Sequence, residues 1–213
     1  LLAAGATPSM TIAPEEVVDF VHMADALLIN LGTMDDTRSE AVDRAVQTAQ
    51  TDEKVWALDP VFVQASPIRL KLAQDSLGKS PDLLRCNRAE YEVLFDRKPD
   101  AAGALHPSAG TTIALTGKTD LVGDGARSVA VQNGSPLMDR VTAMGCALTG
   151  LAVGFMAVED DAILAVTSAL ALYGIAGEQA EAQGNGPGTF VPHFLDALCN
   201  LSGDQLTEEV RLS

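Results

Sequence analysis

Four groups of residues in this chain have types and spacing that suit phosphoryl chemistry. Asp59 closes the apolar run Val55-Trp56-Ala57-Leu58 just before Pro60, and Arg85 stands close to Asn87 and Glu90. Thr116 and Gly117 end a second apolar run, and the turn Ala143-Met144-Gly145-Cys146 leads into a third. Moving a phosphoryl group from a nucleotide asks for a divalent cation held by carboxylates and for a guanidinium or backbone N–H groups on the phosphates. It also asks for a group that orients the attacking hydroxyl. Each feature alone has an ordinary alternative. Asp59 can be a turn residue, Arg85 part of a surface ion pair, Glu90 part of a solvated helix face, Thr116 a plain strand residue and Cys146 a buried cysteine at an unremarkable helix start.

The fourth group is the most suggestive. The first N–H groups of a helix have no partner within it, and the helix dipole adds positive potential, so a helix beginning at this turn offers a place for phosphate or developing negative charge. Gly145 would let such a ligand come close, and the same field predicts a depressed pKa for the Cys146 thiol. The chain contains neither G-x-x-x-x-G-K-[ST] nor a G-x-G-x-x-G after a strand, so neither P-loop nor dinucleotide chemistry is supported.

The elements that must position these groups alternate along the chain. Val17, Val18, Phe20, Val21 and Ala24 recur at helical spacing behind Pro14, Glu15 and Glu16, where proline and acids suit a first turn. His22 within it reads as a surface or satisfied histidine. Strands are expected at 26–31, 55–59, 82–87 and 112–116, and helices at 37–50, 68–77 and 89–95. Pro60 cannot donate to a ladder, so the second strand should stop at Asp59, which places a carboxylate at the C-terminal sheet edge where α/β proteins bind ligands. Residues 121–131 read as a hairpin around Gly123-Asp124-Gly125. A long helix is expected over 162–182, stopped by Gly184 to Gly188, with a final helix capped by Thr189 and running to Leu198. Glu159, Asp160 and Asp161 read as a solvated helix start. Alternation of this kind predicts an α/β fold with a mostly parallel central sheet and helices on both faces. Residues 96–110 leave little room for a crossover and admit a missing piece. Leu1-Leu2-Ala3-Ala4 reads as the middle of a helix, so a preceding segment is expected and the chain is read as one N-terminally incomplete domain over 1–213.

Composition excludes several classes. The chain has 213 residues, a formal net charge of -15 and 47% hydrophobic content, which fits one globular domain and disfavours nucleic acid or an anionic membrane as partner. Three well-separated cysteines, Cys86, Cys146 and Cys199, indicate neither a disulfide framework nor a zinc site, and they suit a reducing cytoplasm. No run approaches the roughly 18 to 20 uninterrupted apolar residues of a membrane span.

Taken in order, L-L-A-A-G-A-T-P-S-M, A-L-L-I-N-L-G-T, L-D-P-V, R-C-N-R-A-E, L-T-G-K-T-D, N-G-S-P-L-M, V-T-A-M-G-C and G-N-G-P-G-T-F with F-L-D-A-L closely resemble the hydroxyethylthiazole kinase family of the ribokinase-like fold. The resemblance implies an ATP-dependent, magnesium-requiring kinase of thiamine salvage. Its acceptor would be the primary alcohol of 4-methyl-5-(2-hydroxyethyl)thiazole, and its assembly a homotrimer with the thiazole bound between subunits. It also implies that Met10 and Ala143 contact the thiazole, that Arg85 and Thr116 contact the nucleotide, and that Asp59 and Glu90 belong to the magnesium region. Cys146 would stand where related sugar kinases carry an aspartate base. Three departures accompany the match. The family's G-T-G-C reads A-M-G-C, its R-G-N reads R-C-N, and two glycines usual after D-P-V read Phe62 and Gln64, each expected to put a larger residue near the phosphate or substrate path. A catalytically weakened thiazole- or nucleotide-binding homologue and a kinase of the same fold for another small alcohol are the alternative readings.

Overall fold

Apolar runs closed by glycine, proline or asparagine form the strands, and the amphipathic stretches between them form the helices that cover the sheet. The computed structural model describes residues 1–99, 105 and 110–213. In chain order the elements are α1 (Val17–Met23), β1 (Ala26–Asn30), α2 (Asp36–Thr51), β2 (Val55–Asp59), α3 (Pro67–Leu77), β3 (Leu83–Asn87) and α4 (Arg88–Phe95). They continue with β4 (Thr112–Thr116), β5 (Asp120–Gly123), β6 (Ser128–Val131), α5 (Met144–Met156), α6 (Ala162–Gln183), α7 (Pro187–Asn200) and α8 (Gly203–Glu209).

The strands lie in one sheet in the order β1-β2-β3-β4-β5-β6. β1 to β4 pair in parallel, and β5 and β6 continue the sheet as antiparallel strands. Successive side chains of a strand point to opposite faces, and here each face has its own core. Ile29, Trp56, Leu58, Leu84, Cys86 and Ile113 pack with α1 to α4 on one side. Ala57, Leu83, Ala114, Val122 and Val131 pack against α5, α6 and α7 on the other. The expected mostly parallel sheet with helices on both faces is what forms.

Helix α6 is the one helix among the described residues that is long and apolar enough to cross a membrane, though it holds no uninterrupted apolar run of that length. In its most apolar 18-residue window 67% of the residues are buried inside the protein, because the helix runs through the core between β6, α5 and α7. Its length and apolarity are those of a core helix.

Local rules account for the other departures. Leu2–Ala4 is a short 3-10 helix ended by Gly5 at φ 85. Pro14, Glu15 and Glu16 form a turn, and the helix begins only at Val17. Helix α7 starts earlier than expected, with Gly186 as its N-cap and Pro187 in the first turn, where a missing N–H costs nothing. Thr189 is therefore inside the helix, and its hydroxyl accepts from Asn185 N at 2.8 Å. Helix α8, unanticipated, opens on a capping box in which Ser202 and Gln205 each accept the other's backbone N–H. The stretch 96–110, where a missing piece was considered, falls mostly outside the described residues.

Candidate functional site

Strand periodicity gathers the site. Leu28, Ala57, Leu83 and Ala114 pack into the core beside α5, so the residues two positions further along each strand face that side as well. These are Asn30, Asp59, Arg85 and Thr116. Register brings Asn30 level with its pairing partner Asp59, while Thr116 lies beside Asn87, two residues beyond Arg85. The C-terminal ends of four parallel strands thus present an amide, a carboxylate, a guanidinium and a hydroxyl toward the start of one helix.

Asp59 is fully buried, at 0% exposure, and is no turn residue. Its Oδ2 accepts from Thr149 Oγ1 at 2.9 Å and Asn30 Nδ2 at 3.2 Å, while its Oδ1 is buried with no partner. Arg85 Nη1 lies 3.9 Å from that Oδ1. Burial raises the Asp59 pKa above the ordinary carboxylate range, and the charge of Arg85 and the Thr149 hydrogen bond oppose the rise. An anionic oxygen held in the protein interior with an open valence suits a hard cation or a cationic ligand.

Arg85 is only 15% exposed on its side chain, too buried for a surface pair. Its guanidinium lies directly over Gly145, where an added Cβ would come within 2.6 Å of Nη1. Gly145 therefore serves close approach, as the sequence suggests, and the group that approaches is the arginine.

Glu90 is 4% exposed and does not lie on a solvated face. Its Oε2 accepts from Asn87 N at 2.9 Å, completing the capping box of α4, and its Oε1 accepts from Phe62 N at 3.0 Å. Each oxygen keeps a second lone pair. Glu90 ties the segment after β2 to the end of β3, and Phe62 on that segment sits at φ 57, in the left-handed region. A glycine would adopt that conformation freely, so Phe62 carries backbone strain there.

Helix α5 begins as foreseen, at Met144, with Cys146 in its first turn. Its N-cap Ala143 holds φ 65 and ψ 8 and makes no side-chain cap, so the leading N–H groups are unclaimed by any capping side chain. Removing that strain is expected to help twice. Ala143→Gly should raise turnover by up to about tenfold if 1.4 kcal/mol of transition-state stabilisation returns. It should also raise the melting temperature modestly, because a Cβ at positive φ costs about 1 to 2 kcal/mol and the extra chain entropy of glycine offsets about 0.4 to 1 kcal/mol of that. Kinetics and a thermal melt of this one variant check both. A lower melting temperature with unchanged turnover would leave Ala143 as a plain pocket wall.

The expected low pKa of Cys146 is overturned. Its thiol is pushed up from the usual value by burial and by the neighbouring charge of Asp59, against the smaller effects of Asn30 and Arg85. The helix dipole, which alone would favour thiolate, loses to desolvation and a like charge. Cys146 is thus a neutral thiol at pH 7, a hydrogen-bonding group rather than a ready base. Cys146→Ala is expected to lower turnover by roughly tenfold, the worth of one hydrogen bond of about 1.4 kcal/mol, well short of the loss of a true general base. Cys146→Asp should support activity at least comparable to Cys. Steady-state rates of the two variants decide it, and a dead but folded Ala variant would restore the base.

Thr116 reaches back to Cys86 O at 3.4 Å, beside Gly117, whose N–H is held by Asp120 Oδ1 at 2.8 Å. Burial raises the Asp120 pKa to about 6. Met10 stands apart, 91% exposed on the loop before α1. Cys86, in the R-C-N departure, points into the opposite core at 0% exposure, so it does not crowd the phosphate path, and burial makes its thiol very hard to ionise. Two members of the site were not foreseen. Asn30 had a signal as the polar end of the run Leu27-Leu28-Ile29, and Thr149 had one as the sole hydroxyl inside an otherwise apolar helix.

The family model described as "Hydroxyethylthiazole kinase family" matches residues 1–204. The hydroxyethylthiazole kinase of Pectobacterium atrosepticum is 39% identical over 222 residues, covering 97% of this chain and 84% of that protein. The solved hydroxyethylthiazole kinase of Pyrococcus horikoshii OT3 superposes with a TM-score of 0.92 at 33% identity, covering 100% of this chain and 85% of that one. The pyridoxal kinase of Staphylococcus aureus, solved with ADP, shares the ribokinase-like fold at a TM-score of 0.59 and 17% identity, over 78% of this chain and 66% of that one. The chain belongs to the hydroxyethylthiazole kinase family.

Proposed function

We propose that this protein, as one ribokinase-like domain over 1–213, transfers the γ-phosphoryl of ATP to the primary alcohol of 4-methyl-5-(2-hydroxyethyl)thiazole. The observation that carries the reading is the unpartnered, fully buried Oδ1 of Asp59, facing Arg85 where that guanidinium crosses Gly145 at the start of α5. A carboxylate, a guanidinium and free helix N–H groups converge there at the C-terminal ends of parallel strands, where α/β proteins bind ligands.

In this reading Arg85 and the Thr116–Gly117 corner hold the nucleotide phosphates. The N–H groups at the start of α5 receive the transferring phosphoryl, and Cys146 orients the acceptor hydroxyl. Asp59, with Glu90 behind it, would hold a magnesium ion, which supplies positive charge on the phosphate oxygens. The residues fit that ion. Magnesium asks the protein for one or two carboxylates and takes its other oxygens from phosphates and water, so the lack of a cluster of three acidic, His or Cys side chains among the described residues is no obstacle. Because the transition state of phosphoryl transfer is loose, alignment and charge carry most of the rate, and a neutral thiol suffices at the acceptor.

Met10 and Ala143 are assigned to the thiazole. Ala143 adjoins Cys146, but Met10 is exposed far beyond what a contact in a single chain would allow, which supports a second copy covering it, in keeping with the homotrimer that the family resemblance implies. The cysteine usage suits a reducing cytoplasm.

A coupled ADP-release assay with the thiazole alcohol tests the reading. ADP release that depends on the thiazole alcohol and on magnesium is expected, from a particle three times the monomer mass in light scattering. Binding of thiazole and ATP without ADP release would favour the weakened homologue, and faster release with another small alcohol would change the substrate.

A further inference from the structure

Helix α5 carries one hydroxyl inside its apolar run, and it is buried at the centre of the site. Thr149 is 0% exposed, and its Oγ1 lies 2.9 Å from Asp59 Oδ2 and 3.0 Å from the Gly145 carbonyl. One hydroxyl has one proton for these two acceptors. In an α-helix the Gly145 carbonyl also faces the N–H of Thr149, four residues on, so it is not left bare. The carboxylate is the stronger acceptor and its other oxygen has no partner, so the proton belongs on Asp59.

We propose that Thr149 is a positioning residue for the proposed phosphoryl transfer, holding the Asp59 carboxylate by its Oδ2 so that Oδ1 is presented, open, to the ligand side. The inference rests on the kinase reading for its rate arm only. Besides Thr149, the Asp59 carboxylate accepts from Asn30 Nδ2 at 3.2 Å, with the Cys146 thiol as a weaker neighbour. Arg85 stands 3.9 Å away on the Oδ1 side, so a carboxylate released from Thr149 can turn toward the guanidinium and close that gap into a direct ion pair. Such a pair would draw in the two groups that the cation and the phosphates need. The link also fixes β2 to α5, the helix whose first turn carries Gly145 beneath Arg85.

The test is Thr149→Val, which keeps shape and removes the proton, beside Thr149→Ser, which keeps the hydroxyl. Outer partners of metal-holding groups typically govern affinity by about ten- to a hundredfold. Thr149→Val should therefore raise the Mg2+ concentration for half-maximal rate by about tenfold or more and lower kcat, with KM for the thiazole alcohol unmoved. Calorimetric titration of ADP should weaken in the presence of Mg2+ and stay unchanged in its absence, and Thr149→Ser should restore both readouts. Rates and titrations are taken well below the melting temperature of each variant, so a merely structural threonine would lower that temperature and move none of these values. Mg2+ dependence and Mg2+-linked ADP binding in Thr149→Val equal to the parent, or a Ser variant as impaired as Val, overturns the proposal. Should Thr149→Val not fold, Thr149→Cys replaces it. A thiol is a weak donor, so a loss in Cys that Ser does not share supports the role, and equal values in Cys and Ser overturn it. If the parent protein shows no turnover with the thiazole alcohol, the kinase reading fails separately, and the calorimetric arm still decides Thr149.

Discussion

Asp59→Asn is expected to lower turnover about a hundred- to a thousandfold, the range found when one preorganised electrostatic group is removed from a reacting centre, while leaving a folded protein. The substitution is nearly isosteric, and its carbonyl oxygen can still accept from Thr149 and Asn30, the two donors that fix the present carboxylate. What changes is the other atom. The unpartnered Oδ1 facing Arg85 becomes an N–H2 group, so a donor meets a donor across the 3.9 Å gap and the open anionic valence is lost. Binding of the thiazole alcohol, held elsewhere, should change little. Steady-state kinetics and circular dichroism at one temperature check this together, and turnover within tenfold of the parent in a folded Asp59→Asn would take the carboxylate out of the chemistry.

The same residue explains a cost that the fold carries. Burial raises the Asp59 pKa, so the folded state disfavours the ionised form. Below the ordinary carboxylate pKa the group is neutral in both states and costs nothing, and as pH rises toward the folded pKa the unfolded chain ionises first and stability falls. A buried charge kept at the expense of stability, with one oxygen unsatisfied, marks a site arranged for a ligand rather than for the core.

Much of this site was legible before the structure, and the reason is periodicity. Asp59 before Pro60 had to close a strand, and once the parallel register sets Ala57 beside Leu83, alternation puts Asp59 and Arg85 on one face. The Gly145-Cys146 turn had to open a helix because an apolar run of helical length follows it. Periodicity does not report burial of charge. The depressed thiol expected at Cys146 followed from the helix dipole alone, and only the three-dimensional site shows its partial burial and Asp59 beside it. Glu90 shows a related limit. A helix over 89–95 already puts Glu90 in its first turn, but its bond to Phe62 N joins segments 28 residues apart, and no local pattern encodes that. The departures from the family's glycines divide the same way. Phe62 and Ala143 do sit at positive φ, as glycine positions suggest, whereas Cys86 lies on the far face of β3, which alternation from Arg85 would have told.

Arg85→Ala is expected to reduce kcat/KM for ATP by about tenfold to a hundredfold, since a hydrogen bond to a charged group contributes roughly 1.5 to 3 kcal/mol and a guanidinium can grip phosphate oxygens in pairs. KM for the thiazole alcohol should hold. A second consequence separates this role from simple phosphate binding. Arg85 is the chief charge holding the Asp59 pKa down against burial, so its removal drives that pKa further up, and the acid limb of the rate profile should move to higher pH as Asp59 loses its charge earlier on acidification. Arg85→Lys divides the two effects. A lysine restores positive charge beside Asp59 but not the planar fork, so the acid limb should return toward the parent while much of the ATP defect remains. Measuring kcat/KM for ATP against pH in the three proteins settles it. An Arg85→Ala variant with parental ATP kinetics and an unmoved acid limb would show that the guanidinium neither binds the nucleotide nor sets the state of Asp59.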